Sequence, residues 1–258
     1  MASAERSHPL AMEAMMDIDV KSKPSQPHWY EHYVQPCVAE LLGSALFVFA
    51  GCLSVVEDTA VTGKMQPALV HGLAAGVIVA ALGDVSGSHL NPAVSLTMWL
   101  VGALNITMLI PYCISQLCGG MIGAVLAKAV VPNQRFASTF GGAFSIIRND
   151  NQIGSALGCE IIITTFMILV AFMGAVNEKT KTTLVPICIA FVVTVNVLVG
   201  GTVSGACTNP ARAFGPAVVA NYWDYHWVYW VGPVIAALLV SALARLLLGD
   251  RNTRLILK

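Results

Sequence analysis

A ten-residue stretch that occurs twice constrains this chain more than any other feature. Residues 86–95 read SGSHLNPAVS, and residues 204–213 read SGACTNPARA. In each copy a glycine-containing loop leads into Asn-Pro-Ala. Asn is a strong helix N-cap and Pro fits the first helical position, so each copy predicts the start of a helix. The helix after each motif is too short to span a bilayer, yet both copies lie inside long apolar tracts.

The composition of the chain is that of an integral membrane protein. Of its 258 residues 56% are hydrophobic and only 11% are charged, and the mean hydropathy is +0.72. The formal net charge is zero, so no nucleic-acid partner is expected. The seven cysteines are odd in number and lie in or beside apolar segments, which indicates free thiols rather than a disulfide framework. No metal-ligand spacing occurs, and no cofactor is predicted.

The chain divides into two repeats with polar flanks. Residues 1–35 are polar and contain no apolar run of signal-peptide type, so we expect a disordered cytoplasmic tail. The first repeat is predicted at 36–130 and the second at 155–248. An outer connecting loop at 131–154 joins them, and a short cytoplasmic tail follows at 249–258.

The two repeats match in the spacing of their polar landmarks. Glu40 precedes Asn91 by 51 residues, and Glu160 precedes Asn209 by 49. Each repeat holds three crossings, an odd number, so the second must be inverted relative to the first. The two short helices then enter from opposite faces and meet at their Asn-Pro-Ala ends. Irregular backbone at membrane depth is tolerated only where it is buried in protein or lines a water-filled cavity.

These observations predict an all-α membrane protein with six transmembrane helices, two re-entrant half-helices and an aqueous path. With both termini in the cytoplasm, nine of the 14 basic residues lie inside and four outside, with Arg212 in the membrane. That bias supports both termini inside. The plasma membrane is the default location, and the inner mitochondrial or another intracellular membrane is the alternative.

The doubled Asn-Pro-Ala motif resembles that of the aquaporin family (major intrinsic proteins), over roughly residues 36–248. Four further stretches resemble the animal aquaporin-8 type: WYE at 29–31, VQPC at 34–37, EKTK at 178–181 and PAVVAN at 216–221. The resemblance implies a homotetramer in which each monomer conducts. Its pore motifs would be those of residues Asn91, Pro92, Ala93, Asn209, Pro210 and Ala211.

The resemblance also implies a narrower selectivity filter to the outer side of the motifs. Counting from the motifs, its members are His71, Val197, Ala206 and Arg212. Water-selective family members carry Phe at the first of these positions and His at the second. The small apolar pair Val197 and Ala206 therefore predicts a wider filter, which passes ammonia along with water. Hydrogen peroxide and urea are further candidate solutes.

Several other residues receive specific expectations. Cys207, two residues before Asn209, is the candidate mercurial-sensitive thiol. Glu40 and Glu160 are expected to be structural buried carboxylates that pair with loop backbone N–H groups, because freely ionised groups would conflict with a pore that excludes cations. Asn196 is ambiguous, since a shift of one residue would exchange it with Val197.

The leading hypothesis is a passive channel for water and small neutral solutes that excludes protons and ions, with membrane lipid around it. A coupled carrier is the runner-up within transport, although only the two Glu residues could serve as its ionisable groups. A structural or adhesion protein with an incidental pore is an alternative from another class. An enzyme is not expected, because the sequence shows no nucleophile–base pair, metal set or phosphate-binding loop.

Overall fold

The computed structural model of the chain describes residues 28–57, 63–143 and 146–255. Most of the predicted N-terminal tail and the last three residues lie outside this part. Within it, residues 29–35 are already helical, so the first helical segment begins before the predicted boundary at 36. Pro36 is compatible with this start because it occupies the first turn of the following α-helix.

The described residues form helices and connecting turns, without a strand. The α-helices are α1 (Gln35–Val56), α2 (Met65–Ser86), α3 (Pro92–Leu100), α4 (Ile106–Val130), α5 (Asn133–Ser138), α6 (Ile153–Ala175), α7 (Val185–Gly200), α8 (Pro210–Ala220) and α9 (Val228–Leu243). Short π-helical turns, Tyr30–Val34 and Ala244–Leu248, extend the first and last of them.

Five of the six predicted crossings are long and apolar enough to span a membrane: Tyr30–Val56, Met65–Ser86, Ile106–Val130, Asp150–Ala175 and Val228–Leu248. The sixth, α7, is an apolar helix of 16 residues. At 1.5 Å per residue this corresponds to about 24 Å, somewhat less than the hydrocarbon core.

The half-helices α3 and α8 begin as the sequence predicts. The side-chain oxygen of Asn91 accepts a hydrogen bond from the N–H of Ala93, and that of Asn209 accepts from Ala211 and Arg212. In each helix Pro follows the cap, where it leaves no backbone donor unpaired. The two short helices are therefore stabilised at their first turns, which are the ends that face each other.

Small residues let the long helices approach closely. Gly72 and Gly76 of α2 lie against Ala190 and Thr194 of α7, and Gly119 and Gly123 of α4 lie against the α1 backbone. These contacts pack α2 on α7 and α4 on α1, and α6 packs in turn on α9. The long helices thus surround the two half-helices.

Polar contacts at the helix ends distinguish the two faces of the bundle. On one face, Arg245 donates to the carbonyl of Leu100, and the C-terminal segment after α9 contacts the connector between α6 and α7. We call this the C-terminal face. On the opposite face, Arg135 forms an ion pair with Glu57. The predicted loop at 131–154 contains α5 and two 3-10 turns and covers this opposite face, since Phe136 is buried there.

Candidate pore

A cavity of about 1260 Å³ lies within the described part of the bundle. It begins at the C-terminal face, where Lys181 and Thr182 of the α6–α7 connector line it. It passes both motif asparagines and ends toward the opposite face at a wall that includes His71 and Val197. More than half of the lining residues are apolar, and polar side chains such as those of Asp84, Ser88 and Thr183 line much of the rest.

Asn91 and Asn209 each perform two roles at the middle of the cavity. Their carbonyl oxygens cap the half-helices, as described above. Their amide nitrogens cross to the opposite loop, since Asn91 Nδ2 donates to the carbonyl of Thr208 and Asn209 Nδ2 donates to that of Leu90, both at 2.8 Å. An amide NH₂ has two donors, so one N–H of each side chain remains for a molecule in the cavity.

Two buried glutamates hold the loops that carry these asparagines. Glu40 accepts hydrogen bonds from the N–H groups of His89 and Leu90, and Glu160 accepts from those of Cys207 and Thr208, at 2.7–2.9 Å. Both carboxylates are fully buried. The predicted contact between these glutamates and loop N–H groups is present in the structure.

The surroundings of Glu40 and Glu160 match in detail, so the two halves of the chain hold their loops in the same way. The hydroxyls of Ser86 and Ser204 donate to Glu40 and Glu160, at 2.7 Å each. The carbonyls of the same serines accept from Tyr112 and Tyr229. Three residues in each loop have positive φ, at positions 87, 88 and 90 and at positions 205, 206 and 208.

The four residues of the predicted filter lie at the end of the cavity. His71, Val197 and Ala206 belong to its lining, whereas Arg212 does not. Arg212 is fully buried, and its Nε donates to His71 Nε2 at 3.2 Å. His71 Nδ1 lies 2.7 Å from the carbonyl of Pro67, which can only accept, so Nδ1 carries the proton and Nε2 is the acceptor. The neutral ring therefore connects Arg212 to the cavity wall.

Arg212 is also held by a residue that sequence reasoning missed. Its Nη2 donates to the carbonyl of Gly142 at 2.8 Å. Gly142 has a φ of 72°, and a Cβ there would lie 2.6 Å from the carbonyl oxygen of Cys52 on α1. Only glycine fits this position without strain. The Gly141-Gly142 pair in the loop was the available sequence signal.

Asn196 and Val197, which the sequence left ambiguous, make different contacts. Val197 packs with Ala206 and Ile163 at the end of the cavity. Asn196 lies beside it, with its amide donating to the carbonyl of Ile163 at 2.7 Å. Both residues line the cavity. Asn196 is thus a further polar group near the filter, which the sequence reasoning left open.

Two more polar side chains line the cavity. His89 contacts the hydroxyl of Ser95 through Nδ1 at 3.1 Å and packs against the ring of Tyr112. Cys207 is 4% exposed and lies in the cavity lining, with its thiol donating to the carbonyl of Asn209 at 3.1 Å. Among the described residues, no group of three or more His, Cys, Asp or Glu side chains could hold a metal ion.

Comparison with known proteins identifies the family to which this architecture belongs. The model of the family named Major intrinsic protein matches residues 29–244, most of the chain. The chain belongs to the major intrinsic protein (aquaporin) family. This confirms the resemblance that the two Asn-Pro-Ala motifs indicate.

Individual relatives extend the comparison. The chain is 60% identical to Aquaporin-8 of Mus musculus over 230 residues, which cover 89% of this chain and 88% of the mouse protein. Aquaporin-8 of Rattus norvegicus gives the same identity and coverage. Aquaporin TIP1-2 of Musa acuminata is 34% identical over 218 residues, or 81% of this chain and 84% of that protein. The predicted resemblance to the aquaporin-8 type is therefore confirmed.

A solved structure supports the fold independently. The X-ray structure of the aquaglyceroporin from Plasmodium falciparum superposes with a TM-score of 0.71 at 21% sequence identity, covering 82% of this chain and 95% of that one. The predicted aquaporin-like fold is thus confirmed. Family membership makes this aquaporin a multi-pass membrane channel for water and small solutes, and not an enzyme.

Proposed function

We propose that this aquaporin is a passive channel for water and ammonia, with hydrogen peroxide and urea as further candidate solutes, and that it excludes protons and ions. The observation that carries the proposal is the composition of the filter. Val197 and Ala206 form a small apolar wall at the same end of the cavity as His71, whose Nε2 contacts Arg212.

The proposed filter combines size with a limited number of polar groups. Pore selectivity depends on diameter, lining donors and acceptors, and electrostatic barriers. Val197 and Ala206 contribute width without polar atoms, so a neutral molecule slightly larger than water is admitted. The buried charge of Arg212 repels ammonium, so ammonia crosses in its neutral form. An intramembrane arginine is costly, which favours a functional role for it.

Proton exclusion is assigned to the middle of the cavity. Each half-helix N-terminus carries roughly +0.5 charge, and the two first turns face each other across the Asn91 and Asn209 pair. The resulting positive potential opposes cations. A water molecule that accepts from both asparagines turns its hydrogens away from its neighbours, which interrupts a chain of proton transfer. The reciprocal bonds to Leu90 and Thr208 support this role by fixing both amides.

The proposal includes the assembly and its place in the cell. We propose a homotetramer of conducting monomers built from the repeats 36–130 and 155–248, with both termini in the cytoplasm. The C-terminal face is then the inner face, and the filter lies toward the outside. The plasma membrane is the proposed location, with an inner mitochondrial or other intracellular membrane as the alternative.

The test uses proteoliposomes that contain the full chain. Water flux is followed by stopped-flow light scattering, and ammonia flux by internal pH during an ammonia gradient. We expect both to exceed those of protein-free vesicles. Val197→His, which places the larger polar residue of water-selective members in the filter, is expected to lower ammonia flux more than water flux. Ammonia flux equal to that of plain lipid in the unaltered protein overturns the solute assignment.

A further inference from the structure

One glycine of α1 lies directly behind the contact between His71 and Arg212. A Cβ added at Gly51 would be 2.6 Å from His71 Nε2 and 2.9 Å from Arg212 Nε. These are the two atoms that the 3.2 Å hydrogen bond joins. Gly51 is buried, and the cavity lining includes His71 but not Gly51. The imidazole therefore stands between Gly51 and the cavity.

The atoms around Gly51 distinguish it from glycines that pack helices together. The closest neighbours of a Cβ at position 51 are the ends of two long side chains, which can shift by rotation about their χ angles. At Gly72 and Gly119, by contrast, a Cβ would meet backbone carbonyl oxygens of a neighbouring helix. A methyl group at 51 thus displaces His71 and Arg212, whereas one at 72 or 119 forces two helices apart.

We propose that Gly51 is a specificity-determining position of this channel, a positioning residue that acts through His71 and Arg212. Because it has no side chain, the imidazole and the guanidinium meet against α1 rather than farther into the end of the cavity. Phe47, one turn earlier on α1, contacts the same imidazole edge-on, with ring centroids 5.9 Å apart. Phe47 and Gly51 together form the back wall of the filter. This inference rests on the proposed function of the filter.

The positions of His71 and Arg212 relative to Gly51 determine how a methyl group at 51 changes the fluxes. A methyl group at 51 pushes the His71 ring away from α1 and toward the cavity, which narrows the passage. It also separates His71 Nε2 from Arg212 Nε, so the imidazole and the guanidinium lose their fixed positions. A narrower filter reduces the flux of the larger solute more than that of water. Gly51→Ala therefore lowers both permeabilities and also lowers the ratio of the larger solute's permeability to that of water.

The experiment compares Gly51→Ala with Gly158→Ala in proteoliposomes with equal protein content. Gly158 lies on α6, and a Cβ there has no heavy atom within 4 Å. We expect Gly158→Ala to match the unaltered protein. We expect Gly51→Ala to lower water flux about two- to tenfold, the effect of an off-rotamer side chain in the rate-limiting passage. Urea or ammonia flux should fall by a larger factor, so its ratio to water flux decreases.

A double variant separates positioning from a general loss of structure. In the His71→Ala background the ring is gone, and only the 2.9 Å approach of a Cβ at 51 to Arg212 Nε remains. Adding Gly51→Ala there should therefore lower both fluxes by a smaller factor than it does when His71 is present, because residues in contact are not additive. Equal losses in both backgrounds, or identical behaviour of Gly51→Ala and Gly158→Ala, overturn the inference. If Gly51→Ala is not recovered folded, recovery of the double variant supports the same clash, and failure of both contradicts it. Lack of flux in the unaltered protein would instead count against the proposed function.

Discussion

Single side chains at the middle and the end of the cavity make several contacts at once. Asn91 and Asn209 cap a half-helix with one atom and bind the opposite loop with another, and each still has an N–H for the cavity. Arg212 likewise contacts His71 and the carbonyl of Gly142. A substitution at such a residue therefore alters the shape of the cavity together with its chemistry.

Cys207 provides a direct prediction at this scale. Its thiol belongs to the cavity lining, so a mercurial bound there obstructs the passage. We expect mercuric chloride to reduce water flux in the unaltered protein and to leave that of Cys207→Ser unchanged, each relative to its untreated value. Cys52→Ser is the matched control, because Cys52 is fully buried outside that lining. Mercurial block that persists in Cys207→Ser and disappears in Cys52→Ser contradicts this assignment.

The residue types at the filter follow from the sequence, but their contacts do not. Spacing from the two motifs indicates His71, Val197, Ala206 and Arg212 as one set. The structure adds Gly142, whose carbonyl accepts from Arg212 and lies in a loop 70 residues before it. It also adds Gly51 on α1. Neither glycine has a side chain that could indicate a role, since Gly142 acts through its backbone carbonyl and Gly51 by leaving space.

At the scale of elements, each half-helix depends on a buried glutamate of another helix. Glu160 on α6 accepts from the hydroxyl of Ser204 and the N–H groups of Cys207 and Thr208. These donors would otherwise be unpaired in an apolar surrounding, at a cost of about 1–3 kcal/mol each. The loop before α8 is thus fixed by one carboxylate.

Glu160→Gln tests this dependence. The amide replaces one acceptor oxygen with a donor that faces donors, so we expect the variant to be less stable by about 3 kcal/mol. The measurement is the midpoint of thermal unfolding in detergent, together with water flux. Glu178→Gln serves as the control, because Glu178 is exposed in a surface ion pair with Lys181 and should contribute about 0–1 kcal/mol. Similar midpoints for the two variants would exclude the role assigned to Glu160.

At the scale of the whole molecule, the C-terminal segment is bound to the connector that lines the cavity entrance. Asp250 accepts from the N–H groups of Glu178, Asn252 and Thr253 at 2.9–3.0 Å. The amide of Asn177 donates to the carbonyl of Leu248 at 3.0 Å. The connector continues to Thr182 in the cavity lining, so the end of the chain positions the entrance on the C-terminal face.

The pH dependence of this contact follows from Asp250. The N–H of Glu178, then that of Thr253, lowers the pKa of the Asp250 carboxyl from 3.8 to about 2. A pKa lowered by folding means that the ionised form favours the folded contact, so its stabilisation is present above pH 4 and is lost as pH falls toward 2. We therefore expect the protection factors of the Glu178 and Thr253 amides to be high at pH 5 and to fall between about pH 4 and pH 2.

Asp250→Asn should remove much of this protection at neutral pH, because a neutral amide is a weaker acceptor than a carboxylate. Hydrogen exchange of the full chain in detergent is the measurement, and Asp224→Asn, at an exposed aspartate of the opposite face, is the control. Unchanged exchange at Glu178 in Asp250→Asn would show that the C-terminal segment does not hold the connector.

The sequence by itself determined the membrane class, the two repeats, the helix starts at Asn91 and Asn209, and the buried role of Glu40 and Glu160. These depend on composition, spacing and local capping, which are properties of short segments. Only the tertiary structure decided that Asn91 donates to the carbonyl of Thr208 and that Arg212 donates to the carbonyl of Gly142. It also decided that a side chain at position 51 would clash with His71 and Arg212. The two hydrogen bonds join residues 117 and 70 positions apart and end on backbone carbonyls, and the role of Gly51 depends on empty space, so none of the three leaves a pattern in the sequence.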